Sequence, residues 1–250
     1  MSRPVHIVLV YQSLLGIYGD RGNAMVLVKR LAWRGYEPHL TIAEPGTPIP
    51  GDADLYLLGG GEDGAQTTAV RLLTREGTLH RAADRGAVVF GVCAGYQILG
   101  RTFTVGDHDE VMPGLGLLDV ETRRGPERAV GEILTTLRPL PGDVTPITGG
   151  DALVTGFENH GGITTPGSGV TPLADVEIGV GNGDPDRTEG AVAGHVVGSY
   201  PHGPVLARNP RFADFLLELA LGHRLDPLPR PDTDELRAER LAAVRAAVRH

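Results

Sequence analysis

The chain has 250 residues, enough for one or two domains with a real core, and its 23 basic and 31 acidic residues give a formal charge of −8. That mild acidity argues against a nucleic-acid binder, and a single cysteine, Cys93, excludes an internal disulfide, a zinc ribbon and a cysteine-ligated cluster. The longest apolar runs, 7–11 and 87–90, are strand-length rather than membrane-spanning, and the N-terminus enters a strand pattern without a secretory segment, so a cytoplasmic location is expected.

Residues 5–10 form an apolar run of buried-strand length. A polar loop, Gly19 to Asn23, leads to a helix over 24–34, with Asn23 as its N-cap and Gly35 as its stop. Short strands are predicted at 39–42 and 55–58, the second broken by Gly59-Gly60-Gly61. One helix is read over 67–84 from the spacing of Val70, Leu73, Leu79 and Ala83. A fourth strand, 87–90, runs directly into Gly91-Val92-Cys93-Ala94-Gly95. This alternation predicts an α/β fold, a mostly parallel sheet with helices on both faces. After residue 115 short strands at 117–121, 133–137, 152–158 and 190–199 suggest an antiparallel extension of the same sheet. A helix follows at 212–221. The division is thus one domain over 1–222 and an appendage over 223–250, made of a proline linker and a helix from 232, a candidate element for docking a partner.

A strand followed by Gly-Val-Cys-Ala-Gly is the cysteine form of a nucleophile elbow. Small residues on both sides allow a tight strand-to-helix turn, and a helix N-terminus favours thiolate. The Ala94 N–H then faces a developing oxyanion, and the loop at Gly60 and Gly61 lies at the same sheet edge. The competing reading of Cys93 is a buried core thiol. The only lysine, Lys29, lies in a helix without a Walker motif, so no P-loop nucleotide site is expected. A cysteine nucleophile needs a base. Among nine histidines the first choice is His202, in Tyr200-Pro201-His202-Gly203-Pro204, and the second is His160. His6 and His195 fall within strand patterns, and no histidine pair has helical metal-ligand spacing.

Gly91-Val92-Cys93-Ala94-Gly95-Tyr96-Gln97 resembles the G-x-C-x-G-x-Q signature of class I glutamine amidotransferases, in their cobyric-acid-synthase-like branch. Further matching blocks at 18–23, 58–61, 156–162, 181–183 and 200–210 extend the resemblance over roughly residues 5–220. Within the branch it is nearest to the glutaminase subunits of two-chain peptidoglycan-amidating synthases. The resemblance implies a flavodoxin-like fold in which Cys93 attacks the side-chain amide of glutamine and His202 shuttles the proton. It also implies an oxyanion hole at Ala94 with Gly60 or Gly61, a substrate-positioning Gln97, and Arg128 on the substrate carboxylate. For Arg128 a surface ion pair is the competing reading. No cofactor is implied in this chain. ATP and magnesium belong on a Mur-ligase-like partner of MurT type, which uses the ammonia to amidate D-glutamate in the stem peptide of lipid II. Many class I members carry a glutamate two positions after the histidine, where this chain has Pro204. The group that orients His202 is therefore sought elsewhere, in Glu158 or on another chain. Corrinoid amidation, or another cysteine hydrolase on the same elbow, remain alternative readings.

Overall fold

A computed structural model describes residues 4–16, 19–139, 149–229 and 231–247. The chain opens as β1 (Val5–Val10), α1 (Arg21–Ala32), β2 (Pro38–Ala43), β3 (Leu55–Leu58), α2 (Asp63–Glu76), α3 (Thr78–Asp84), β4 (Val88–Val92) and α4 (Ala94–Leu99). It continues through β5 (Thr102–Val105), β6 (Glu110–Pro113), β7 (Val120–Leu137), β8 (Leu153–Pro166), β9 (Ala174–Ile178), β10 (Thr188–Glu189), β11 (Ala191–Ala193) and β12 (Val196–Ser199). Three helices close it: α5 (Val205–Arg208), α6 (Pro210–Leu221) and α7 (Pro231–Ala247).

The first sheet has the order β11-β12-β4-β3-β1-β2. All of its pairs are parallel except β11 with β12. β3 and β4 are buried along their whole length, which is why they read as unbroken apolar runs. The step from β1 to β2 and the step from β3 to β4 cross this sheet in opposite directions. Right-handed crossovers therefore send α1 to one face and α2–α3 to the other. The reversal falls between β1 and β3, and the loops after β1, β3 and β4 meet at that crevice. On the α1 face, Arg30 grips Asp214 of α6 through two 2.6 Å hydrogen bonds, and Phe212 meets Phe90 edge-on at 5.6 Å.

Several sequence expectations are corrected here. The strand expected at 190–199 is the hairpin of β11 and β12, which extends the first sheet antiparallel as expected, whereas the other strands after residue 115 form a second sheet, β10-β9-β7-β5-β6 with β8 on β7. The end of the strand expected at 117–121 and the strand expected at 133–137 belong to one strand, β7, whose register against β8 shifts between Arg124 and Ala129. That bulge, carrying Gly125 and Pro126, hides the continuity in the sequence. The helix expected over 67–84 breaks at Gly77, which adopts φ 61 and serves as the C-cap of α2. α1 starts at Arg21 with Asp20 at the N-cap position, while the Asn23 side chain accepts the Leu206 N–H at 3.0 Å.

The C-terminal segment lies on the domain. Arg237 of α7 donates to the Arg208 carbonyl, the Asn209 side chain and the Leu153 carbonyl, and Val244 is buried. Leu236 on the same helix is 66% exposed. No helix among the described residues is long and apolar enough to cross a membrane.

Candidate active site

Cys93 follows β4 and caps α4 with φ 52 and ψ −106, a backbone conformation rare for a residue with a side chain. Holding it there costs of order 1–3 kcal/mol, so the surroundings must over-determine it. They do so from both sides. The Cys93 N–H donates to the Ser199 carbonyl at 2.9 Å, and its carbonyl accepts from Gln97 N–H at 3.0 Å. Glycine is required around it. A Cβ on Gly95 would lie 2.6 Å from the Leu58 carbonyl oxygen, and one on Gly91 2.6 Å from the Gly95 carbonyl carbon. The elbow's glycines thus let β4, α4 and the end of β3 touch backbone to backbone.

His202 follows β12, the neighbour of β4, and is 2% exposed. Its backbone is paired with Phe157 of β8, N–H to carbonyl in both directions, at 2.8 and 3.2 Å. This bridge joins the two sheets at the site. Nδ1 of His202 lies 3.9 Å from Oδ1 of Asp20, which is equally buried. Burial works against a charged imidazole, but Asp20 and then Cys93 outweigh it and raise His202 from 6.5 to about 9. The cluster therefore favours a protonated imidazole at neutral pH.

Asp20 also fixes the glycine loop, because its Oδ2 accepts the Gly60 N–H at 2.7 Å. That contact crosses the crevice between β1 and β3. It turns the Gly60 amide toward Asp20, whereas Gly61, Cys93 and Ala94 line a cavity of about 390 Å³. Of the three expected oxyanion donors, Gly61 and Ala94 thus reach the cavity and Gly60 does not line it.

Gln97 and Arg128 line the same cavity, with Asn159, His160 and Gly162 of β8 opposite the elbow. The β7 bulge ends beside Arg128 and re-aims it, and Asn159 accepts from its Nε at 2.7 Å. This holds the guanidinium at the cavity wall, where among the described residues it bonds Asn159. His160, the second choice of base, stacks on Tyr200 with ring centroids 3.7 Å apart, and its Nδ1 donates to the Gly162 carbonyl at 3.0 Å. Glu158 does not serve as the orienting group expected of it. Its carboxylate accepts the Val180 and Gly181 N–H groups at 2.9 and 3.0 Å and faces His160 at 3.6 Å. His6 sits in β1, as its pattern suggested, and bonds Thr41 at 2.8 Å, while His195 occupies the turn between β11 and β12. Among the described residues no group of three or more His, Cys, Asp or Glu side chains is arranged to hold a metal ion.

The model of the CobB/CobQ-like glutamine amidotransferase domain matches residues 6–210. The chain belongs to that family. It is 32% identical over 250 residues to the GatD subunit of lipid II isoglutaminyl synthase (glutamine-hydrolyzing) from Staphylococcus aureus, covering 97% of both chains. It is 38% identical over 168 residues to cobyric acid synthase from a Caulobacter species, covering 64% of this chain and 31% of that one. In fold it is similar to the PurLQS structure from Thermotoga maritima, with TM-score 0.59, 20% identity, and 88% of this chain and 99% of that chain covered. This protein is accordingly a glutamine amidotransferase.

Two residues escaped the sequence reading. Asp20 stands in a matched block but lies far from His202 in the chain, and only the crevice between β1 and β3 brings them together. Gln66, buried on α2, carried no signal beyond following the triple glycine. Tyr18 and residues 248–250, also part of that reading, lie outside the described residues.

Proposed function

We infer that this chain is the glutaminase half of a two-chain enzyme that amidates lipid II. The observation that carries the chemistry is one cavity bounded by a strained Cys93, with His202 backed by Asp20 at its elbow. Sγ of Cys93 attacks the side-chain amide carbon of L-glutamine, and the oxygen takes up charge beside the Ala94 and Gly61 N–H groups. The C–N bond then breaks as His202 gives its proton to the leaving nitrogen, which departs as ammonia. Water, losing a proton to His202, cleaves the γ-glutamyl thioester to glutamate and frees Sγ of Cys93 beside the reprotonated imidazole. Asp20 holds the imidazole in place for both transfers. Arg128, a planar fork at the cavity wall, suits the substrate carboxylate.

The GatD relative matches 97% of this chain and is matched over 97% of its own, whereas the cobyric acid synthase is about twice as long and carries further parts. Ammonia release needs an ATP-using partner to activate the acceptor carboxylate. On this reading the partner is a Mur-ligase-like subunit of MurT type, which holds ATP and magnesium, and the product is D-isoglutamine in the stem peptide.

The test has two stages. Ammonia release from L-glutamine is expected from the wild-type chain, alone or with its partner, and not from Cys93→Ala. Adding the Mur-ligase-like partner, ATP and lipid II should yield amidated stem peptide by mass spectrometry. Ammonia release without stem-peptide amidation, but with amidation of a corrinoid acid by another partner, would move the chain to the corrinoid branch.

A further inference from the structure

Gln97 is the residue expected to position the substrate, yet its side chain is not free to choose an orientation. Its Oε1 accepts from Nε2 of Gln66 at 2.9 Å, and its Nε2 donates to the Tyr200 hydroxyl at 3.2 Å. Tyr200 in turn lies 2.6 Å from the Thr164 hydroxyl, which lies 2.7 Å from that of Thr122. Burial raises the Tyr200 phenol to about 12, so the hydroxyl keeps its proton to hand on. Gln66 thus donates to Gln97 and Gln97 to Tyr200, and the hydroxyls of Tyr200, Thr164 and Thr122 continue the chain. It links α2, which follows the glycine loop, to α4, which follows the nucleophile, and to the end of β12, which precedes His202.

Two further observations show that this arrangement is built rather than incidental. Gln66 is 2% exposed and lines the cavity together with Gln97, so a long polar side chain is buried there with its amide engaged. Opposite, a Cβ on Gly162 would sit 2.6 Å from Nε2 of Gln97 and 2.9 Å from the Tyr200 oxygen. Only glycine lets β8 approach this hydrogen bond so closely.

We propose that Gln66 is a positioning residue that sets substrate affinity: it locks the Gln97 amide so that the second Nε2 hydrogen of Gln97 is kept for an oxygen acceptor, such as a carboxylate, in the cavity. The carbonyl end of Gln97 is thereby withheld from the substrate and the donor end is presented. Gln66 acts through Gln97 and need not touch the substrate. The inference rests on the glutaminase reading and names how that site recognises its substrate.

The test uses the protein with its partner and two replacements. Gln66→Met keeps length and removes the donor. Gln66→Glu supplies only acceptors when ionised, and so favours the reversed Gln97 amide. Both are expected to raise KM for glutamine at least tenfold, with the larger part of the loss in kcat/KM residing in KM. Both should slow inactivation by a glutamine-shaped diazo-ketone about tenfold and leave alkylation of Cys93 by iodoacetamide, which has no carboxylate, unchanged. Tyr200→Phe combined with Gln66→Met should cost less than the sum of the two single changes, because they break one chain. Wild-type KM in both variants would overturn the proposal. So would equal slowing of both electrophiles, since the elbow itself would then have moved. A wild-type protein that resists the diazo-ketone and releases no ammonia would instead refute the glutaminase reading.

Discussion

Replacing Asp20 by asparagine keeps the shape of the side chain and removes one buried charge. The carbonyl of the new amide can still accept the Gly60 N–H, so the glycine loop should hold its place. What changes is the field at His202. Asp20 Oδ1 stands 3.9 Å from Nδ1, and two unit charges at about 4 Å attract by about 4 kcal/mol at an effective dielectric constant near 20. Burial is the strongest influence on His202 and opposes its charge, so without Asp20 only Cys93 is left to answer it. Taking about 3 kcal/mol as the surviving effect, the imidazolium titrates about two pH units lower and kcat falls on the order of 10²-fold. The assay is ammonia release across pH, with a thermal melt to establish that the variant is folded. In the wild type, activity should decline on the alkaline side near pH 9, as His202 loses the proton it gives to ammonia. In Asp20→Asn that decline should move toward neutrality. A folded variant with kcat within threefold of wild type and an unmoved alkaline limb would refute the assignment of Asp20 as the group that orients His202.

The strain at Cys93 predicts that Cys93→Gly, though inactive, is more stable than Cys93→Ala by about 1 kcal/mol, measured by denaturant titration. Arg128→Lys should raise KM for glutamine about tenfold or more with a smaller change in kcat, because an ammonium cannot replace the fork that Asn159 holds over the cavity. Stability should fall with alkali in two overlapping windows. His202, raised from 6.5 to about 9, contributes fully below 6.5 and loses its contribution, about 3 kcal/mol, as pH rises through 9. Glu189, raised by burial from 4.5 to about 8, contributes fully below 4.5 and loses its share as pH rises through 8. Denaturant midpoints against pH should therefore flatten above pH 8 in His202→Asn and below pH 6.5 in Glu189→Gln.

The elbow and the histidine were legible in the sequence because local sterics dictate them. A backbone-to-backbone contact at Gly95 leaves no other residue possible, so the spacing around Cys93 has to appear in the letters. The same holds for the buried strands, whose apolar runs follow from burial on both faces. Asp20 was not legible as an orienting group because nothing local demands it there. Its task comes from a partner brought close only by the topology of the first sheet. Asn23 misled for a related reason. An asparagine before an apolar stretch reads as a cap, but here its side chain caps a distant segment at Leu206. The long β7 strand was lost because its bulge interrupts the alternation that marks a strand.

The bridge between Phe157 and His202 has a mechanical consequence. The base is sewn to β8, and β8 also carries Asn159, which steadies Arg128 across the same hairpin. The nucleophile, by contrast, rides on α4 and the first sheet. The site therefore divides into two jaws, the nucleophile and Gln97 on one and Arg128 on the other, with the base hinged where they join. A force that tilts the β7–β8 hairpin, whether from a bound subunit or a distant substitution, spoils proton transfer and substrate grip together, so kcat and KM should move as one.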